Sequence, residues 1–213
     1  MSSTHLFAAQ ATHVTRRYGR FRVLVTNGGV ERAVPDGIIV LVRGDVRDGE
    51  RVLCRVASAC VTSTALDSAE CDCGQQIDAA LTEIGHADRG VFVYLTDQEG
   101  RGHGLITKVR ALAEKNRGLD TFAAVEAIGL EPDVRTYDAL APILFELGVR
   151  SVVLLGNNPH KRDAISDSGV KVSSVRPLRV RPPQWAQRSM RAKKRRGHDV
   201  IGSYAEDPAL PYP

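Results

Sequence analysis

The chain has 213 residues, 43% hydrophobic and 25% charged, enough for one domain, or one with a tail, built round a real core. That excludes a disordered polymer and a disulfide-stapled miniprotein. The net charge of +4 is unevenly spread: residues 168–198 carry ten Lys or Arg and no acid, so the other nineteen bases face all twenty-five acids elsewhere, and a segment this basic invites a nucleic-acid or phosphate reading. No run approaches the ~18 apolar residues of a membrane span. The start, Met1-Ser-Ser-Thr-His-Leu-Phe7, lacks the pattern of a signal peptide, so the expectation is a cytoplasmic chain with no membrane contact. In that compartment four cysteines read as thiols or metal ligands.

In chain order, Phe21–Thr26 and Ile38–Val42 are rich in β-branched residues and predict strands joined by a turn at Asn27-Gly28-Gly29. Arg51–Val56 predicts a third strand, completing a small antiparallel sheet. Ile77, Ala80, Leu81 and Ile84 recur at helical spacing up to Gly85, and Val91–Leu95 follows as a buried strand. Leu105–Glu114 predicts a helix with Leu105, Val109 and Leu112 on one side. A further helix is expected from Pro132 or Asp133 to Gly148, with Asp133 as cap and a kink at Pro142. Then come strand Val152–Leu155, helix Pro159–Asp167 and strand Val170–Val175. The fold class is α/β with mixed α+β character, N-terminal antiparallel strands being followed by βα units. The reading divides the chain into an extension (1–17), one main domain (18–178) and a basic tail (179–213), the stretch Glu206–Pro213 being loose.

Cys60, Cys71 and Cys73 form C-x10-C-x-C in a loop between a strand and a helix. Three thiolates occupy three corners of a tetrahedron and leave the fourth open, as in a catalytic rather than a closed structural zinc site. Cys54 either closes the site as a fourth thiolate or is a buried small hydrophobe, and its place on a strand favours the second. The bland alternative for all four is unligated thiols.

Around this loop stand Arg55-Val-Ala-Ser-Ala-Cys60, Glu70-Cys-Asp-Cys-Gly-Gln-Gln76, Asp97-Gln-Glu-Gly-Arg-Gly-His-Gly-Leu105, Asp133-Val-Arg-Thr-Tyr-Asp138 and Gly156-Asn-Asn-Pro-His-Lys161. Their order and spacing resemble GTP cyclohydrolase II from about Tyr18 to His198, C-D-C-G-x-Q and Q-E-G-R-G-x-G-L being the most specific words. The resemblance implies an α/β homodimer with one zinc per subunit on Cys60, Cys71 and Cys73, and magnesium accompanying the triphosphate. It implies opening of the GTP imidazole ring, loss of C8 as formate and release of pyrophosphate, the entry to riboflavin synthesis. Zinc suits that chemistry because it lowers the pKa of bound water toward ~7.

The same resemblance implies substrate contacts at Arg55, Ser58, Gln76, Glu99, Gly100, Arg101, Thr121 and Lys161. Glu99 can accept hydrogen bonds from the guanine N1–H and exocyclic amine, and Arg101 suits polyphosphate oxygens. Asp133 falls on the family's acid-base Asp and Arg135 on an Arg proposed to attack the α-phosphate; charge stabilisation fits a guanidinium better than nucleophilic attack.

Several polar family residues are replaced by small or apolar ones. His and Glu before the first zinc Cys are Ala57 and Ala59, a later Asp is Thr64, a Tyr is Leu112, and further positions are Ala123, Val125 and Gly156. A phenol can donate to a leaving group or orient a water, and leucine can do neither. Two alternatives therefore stand beside full formate release: a reaction stopping at the formylated pyrimidine with its triphosphate kept, or another nucleotide as substrate. A non-enzymatic zinc module binding nucleic acid through the basic segment is the competing class, disfavoured by 5% aromatic content.

Overall fold

The computed structural model describes residues 6–27, 37–156, 158–167, 169–178 and 180–198. Seven strands form one sheet: β1 (Phe7–Thr15), β2 (Gly19–Thr26), β3 (Ile39–Arg43), β4 (Val52–Ser58), β5 (Gly90–Leu95), β6 (Ser151–Leu155) and β7 (Lys171–Arg176). Their spatial order is β1-β2-β3-β5-β4-β6-β7. The pairs from β1 to β5 are antiparallel, and β5, β4, β6 and β7 are mutually parallel. The α/β class with antiparallel strands first and βα units after is the one the sequence predicts.

The helices are α1 (Val61–Thr64), α2 (Cys73–His86), α3 (Gly104–Asn116), α4 (Ala123–Glu126), α5 (Leu140–Glu146), α6 (Pro159–Asp167) and α7 (Gln187–Arg195). Alternation along the strands splits the core between the two faces of the sheet. Cys54, Val56, Val91, Val93, Val152 and Leu154 pack with Leu140, Ile143, Leu144 and Ile165 of α5 and α6. Phe21, Ala57, Phe92 and Leu155 pack with Ala80, Leu81 and Ile84 of α2. Cys54 is fully buried in the first of these layers, where burial pushes its thiol up to about 12; it is a core residue.

Four expectations are revised. Phe7–Thr15, set apart as an extension, is an edge strand paired with β2 from Phe7↔Thr26 to Thr15↔Gly19. Arg51–Val56, expected in the antiparallel part, lies parallel to β5 and β6, because α1 and α2 intervene and a long crossover returns the chain in the same direction. The helix expected from residue 132 begins only at Leu140. Asp133 caps nothing there, since its carboxylate is taken by Arg135, while the Val134 N–H donates to the Arg101 carbonyl at 3.1 Å. Pro142 then falls in the first turn of α5, where its missing N–H breaks no hydrogen bond. Finally, the basic stretch assigned to a tail contains α7, a helix with Ser189, Met190 and Ala192 buried. The turn at Gly28-Gly29 and the segment Glu206–Pro213 lie outside the described residues.

The parallel strands position the site. The chain passes from β4 to β5 on one side, then to β6 on the other, and such a switch opens a crevice at the carboxyl ends of the strands. The cysteine loop leaves β4 there, the Gln98–Arg101 turn leaves β5, and Gly156 and Lys161 follow β6.

Candidate active site

Cys60 ends the extended run from β4, and Cys73 opens α2. Gly74, the next residue, lets α2 approach the turn after Cys60: a Cβ there would lie 3.0 Å from the Ser63 carbonyl oxygen, and the Gly74 N–H donates to Ser63 Oγ at 2.9 Å. This close approach brings Cys60, Cys71 and Cys73 together with all three sulfurs within 4.8 Å of one another. The Cys60 and Cys71 sulfurs are 3.7 Å apart. A zinc at ~2.3 Å from tetrahedrally placed sulfurs separates them by about 3.8 Å, so the cluster fits such an ion. Among the described residues it is the one group of three or more His, Cys, Asp or Glu side chains that could hold a metal.

Hydrogen bonds shared with Cys71 and Cys73, with the Lys108 ammonium nearby, hold Cys60 well below the ordinary thiol range despite its burial. Cys71 and Cys73 move upward in return, through the same hydrogen bonds to Cys60.

Helix α3 supports this loop at both ends. Lys108 Nζ lies 3.0 Å from Cys60 Sγ and 2.7 Å from Glu99 Oε1, and seven residues on, along the same face, Lys115 pairs with Glu70 at 2.7 Å. Glu99 also accepts from the N–H of Val61 at 2.7 Å and of Gly100 at 3.0 Å. Both of its oxygens are therefore engaged by protein donors, which tie the Gln98–Arg101 turn to the metal loop. Neither Lys108 nor Lys115 was singled out from sequence; their spacing from each other was the available signal.

The turn Gln98–Arg101 is tight. Gly100 and Arg101 both have positive φ, 60° and 62°, a conformation that costs a non-glycine residue of order 1 kcal/mol or more. Arg101 is held there by Thr121 Oγ1 at 3.1 Å, Asp133 Oδ2 at 3.3 Å and the ring of Phe122, 3.8 Å below its guanidinium. Burial lowers its pKa to about 10, leaving it cationic at neutral pH. Arg135 lies against Asp133 through Nε–Oδ1 at 2.7 Å and Nη2–Oδ2 at 2.5 Å, and reaches Ser58 Oγ at 3.5 Å. Burial opposes its charge, but the hydrogen bonds to Asp133 outweigh it and hold the Arg135 pKa above its ordinary value.

Arg55 is buried, its Nη1 donating to the Leu155 carbonyl at 2.9 Å and its Nη2 to Gln76 Oε1 at 2.6 Å. Its Nε, also buried, has no hydrogen-bond partner among the described residues. Lys161 Nζ donates to the Val56 carbonyl at 3.0 Å, and burial, reinforced by Arg55 and Arg135, pulls its pKa well down. One cavity is lined by the three cysteines together with Arg55, Ser58, Gln76, Gly100, Arg101, Thr121, Arg135 and Lys161. Asp133 and Glu99 stand behind its wall, each holding a cation that faces it. Leu112, Ala57, Ala59, Val125 and Gly156 line the same cavity.

A metal-capable trio of thiols on the wall of a cation-lined crevice, at the switch point of an α/β sheet, defines the class of site. A GTP cyclohydrolase II family profile matches residues 7–177, and the chain belongs to that family. It is 42% identical over 179 residues to GTP cyclohydrolase-2 of Streptomyces coelicolor, covering 84% of this chain and 79% of that protein. To GTP cyclohydrolase-2 of Pseudomonas entomophila it is 44% identical over 158 residues, 74% of this chain and 77% of the other. It is also 37% identical over 183 residues to the riboflavin biosynthesis protein RibBA of Endomicrobium trichonymphae, covering 85% of this chain but 44% of that longer one.

Proposed function

We propose that the chain is a zinc-dependent hydrolase that opens the imidazole ring of GTP at C8, releases formate and pyrophosphate, and serves riboflavin biosynthesis. The observation that carries this reading is the trio Cys60, Cys71 and Cys73 on the wall of a cavity that also presents Arg55, Arg101, Arg135 and Lys161. Four basic side chains in one crevice match a substrate with several phosphates.

Zinc bound at the three sulfurs supplies Lewis-acid activation of water at neutral pH. The rest falls to the chain's own residues. Asp133 grips Arg135 with both oxygens and touches Arg101, so two guanidiniums are held at fixed places before substrate arrives. Their positive charge stabilises negative charge developing on a transferring phosphoryl group. A guanidinium whose pKa is raised by Asp133 is a charge stabiliser rather than a nucleophile. Magnesium would arrive with the triphosphate.

A second reading is favoured by one observation. Leu112, Ala57, Ala59 and Val125, standing where family polar groups are expected, all line the cavity, so the second hydrolysis and pyrophosphate departure lack their assisting side chains. The product would then be the formylated pyrimidine with its triphosphate retained. The basic segment supports an enzyme better than a nucleic-acid module, since Lys193, Arg195 and Arg196 pair with Asp72, Asp120 and Glu126. Mass spectrometry after incubation with GTP, Zn²⁺ and Mg²⁺ decides: diaminopyrimidine monophosphate with equimolar formate supports the first reading, a formylated triphosphate the second, and unchanged GTP refutes both.

A further inference from the structure

The basic segment contributes more to the cavity than charge. Asp72, between two of the metal-site cysteines, is 1% exposed, and one of its oxygens accepts from Lys193 Nζ of α7 at 2.7 Å. Its other oxygen accepts from the Gln76 side-chain amide, and Gln76 Oε1 in turn accepts from Arg55 Nη2 at 2.6 Å. Four side chains thus form an unbroken line from the carboxy-terminal helix to the buried guanidinium, whose Nε is left unpartnered among the described residues.

Helix α7 is fastened by further pairs at the same carboxy-terminal end. Arg195 pairs with Asp120 at 2.7 Å, Arg196 with Glu126 at 3.1 Å, and the Arg196 guanidinium stacks 4.1 Å from the Phe122 ring that also carries Arg101. Ser189, Met190 and Lys193 share one helical face and line the cavity, with His198 just beyond the helix. An isolated helix of nine residues bearing this much positive charge would not be stable in water; here Asp72, Asp120 and Glu126 pair with three cations at its carboxy-terminal end.

We propose that α7 is a wall of the nucleotide site and that Lys193 is a positioning residue, which fixes Asp72 and, through Gln76, the orientation of Arg55 toward the substrate. The identity of that substrate rests on the function proposed above; the docking of α7 does not. Removing the ammonium leaves a buried carboxylate uncompensated, which is strongly destabilising locally, whereas removing both charges together is far milder.

The test compares Lys193→Met, Lys193→Arg and the double variant Asp72→Asn/Lys193→Met in the full chain. Trp185, the single tryptophan, stands two residues before α7 and reports its docking without metal or nucleotide. Lys193→Met is expected to raise acrylamide quenching of Trp185 and to raise the KM for GTP by ~10-fold with kcat within about threefold, the effect expected of a supporting partner behind a site residue. Lys193→Arg and the double variant are expected to restore quenching to near wild type. Wild-type quenching and KM in Lys193→Met overturn the proposal. So does a double variant quenched as strongly as Lys193→Met, because Lys193 would then not act through Asp72. If Lys193→Met does not fold, the double variant alone decides: wild-type quenching supports the latch, raised quenching overturns it. Absence of GTP turnover in wild-type protein refutes the function and leaves the quenching comparison intact.

Discussion

The ammonium of Lys108 lies 3.0 Å from the sulfur of Cys60 and 2.7 Å from Glu99. Three thiolates on a divalent ion carry one negative charge in excess, and a lysine hydrogen-bonded to one sulfur offsets it. Lys108→Met is therefore expected to weaken zinc binding by ~10-fold or more, with Lys108→Arg retaining most of the affinity. Competition against a chromophoric chelator measures both; equal affinity in Lys108→Met and wild type would remove Lys108 from the metal's surroundings.

The four cysteines separate into two kinds. Cys71→Ser should lose stoichiometric zinc and ring opening while keeping its circular dichroism spectrum. Cys54→Ala, a change inside the core layer between the sheet and α5, should keep zinc and turnover and lower Tm by a few degrees. Metal analysis and thermal melts on the two variants check this, and loss of zinc in Cys54→Ala would contradict the assignment.

Asp133 is the shared anion of Arg101 and Arg135. Neutralising it in Asp133→Asn sets two guanidiniums against each other without their counterion, and kcat is expected to fall by ~100-fold or more with zinc content unchanged. Steady-state kinetics beside metal analysis tests this; a change confined to KM would reduce Asp133 to a binding role.

His198 supplies a pH dependence. Burial first, then Lys193, Arg135, Arg101 and Lys161, lower its pKa from 6.5 to about 4. The released imidazole takes a proton near pH 6.5, the docked one only near 4, so acidification through that window favours release and the docked state has its full advantage above it. Trp185 quenching should rise as pH falls from about 6.5 to 4, and His198→Gln should remove that part of the transition.

The strands and the metal loop were legible because they depend on local pattern: β-branched runs for β4, β5 and β6, and a ten-residue interval between Cys60 and Cys71 that folding had only to close. What escaped the sequence depends on partners far along the chain. Asp133 after a proline reads as a helix cap until Arg135 and Arg101 are seen to take its carboxylate. Glu99 reads as an acceptor for the substrate alone until Val61, Gly100 and Lys108 are seen to donate to it. The segment 187–195 reads as part of a basic tail, which could fold back on the protein, attract a polyphosphate or trail in solvent, because the acids that pair with its end lie 70 to 121 residues earlier.

That distance gives the parts of the site an order of manufacture. Asp72 precedes Lys193 by 121 residues, so a growing chain holds all three sulfurs, and an acid with no base to meet it, long before the helix that closes the crevice has been synthesised. A chain that ends short of residue 193 is therefore expected to keep the three sulfurs and to lack the cavity wall that α7 supplies.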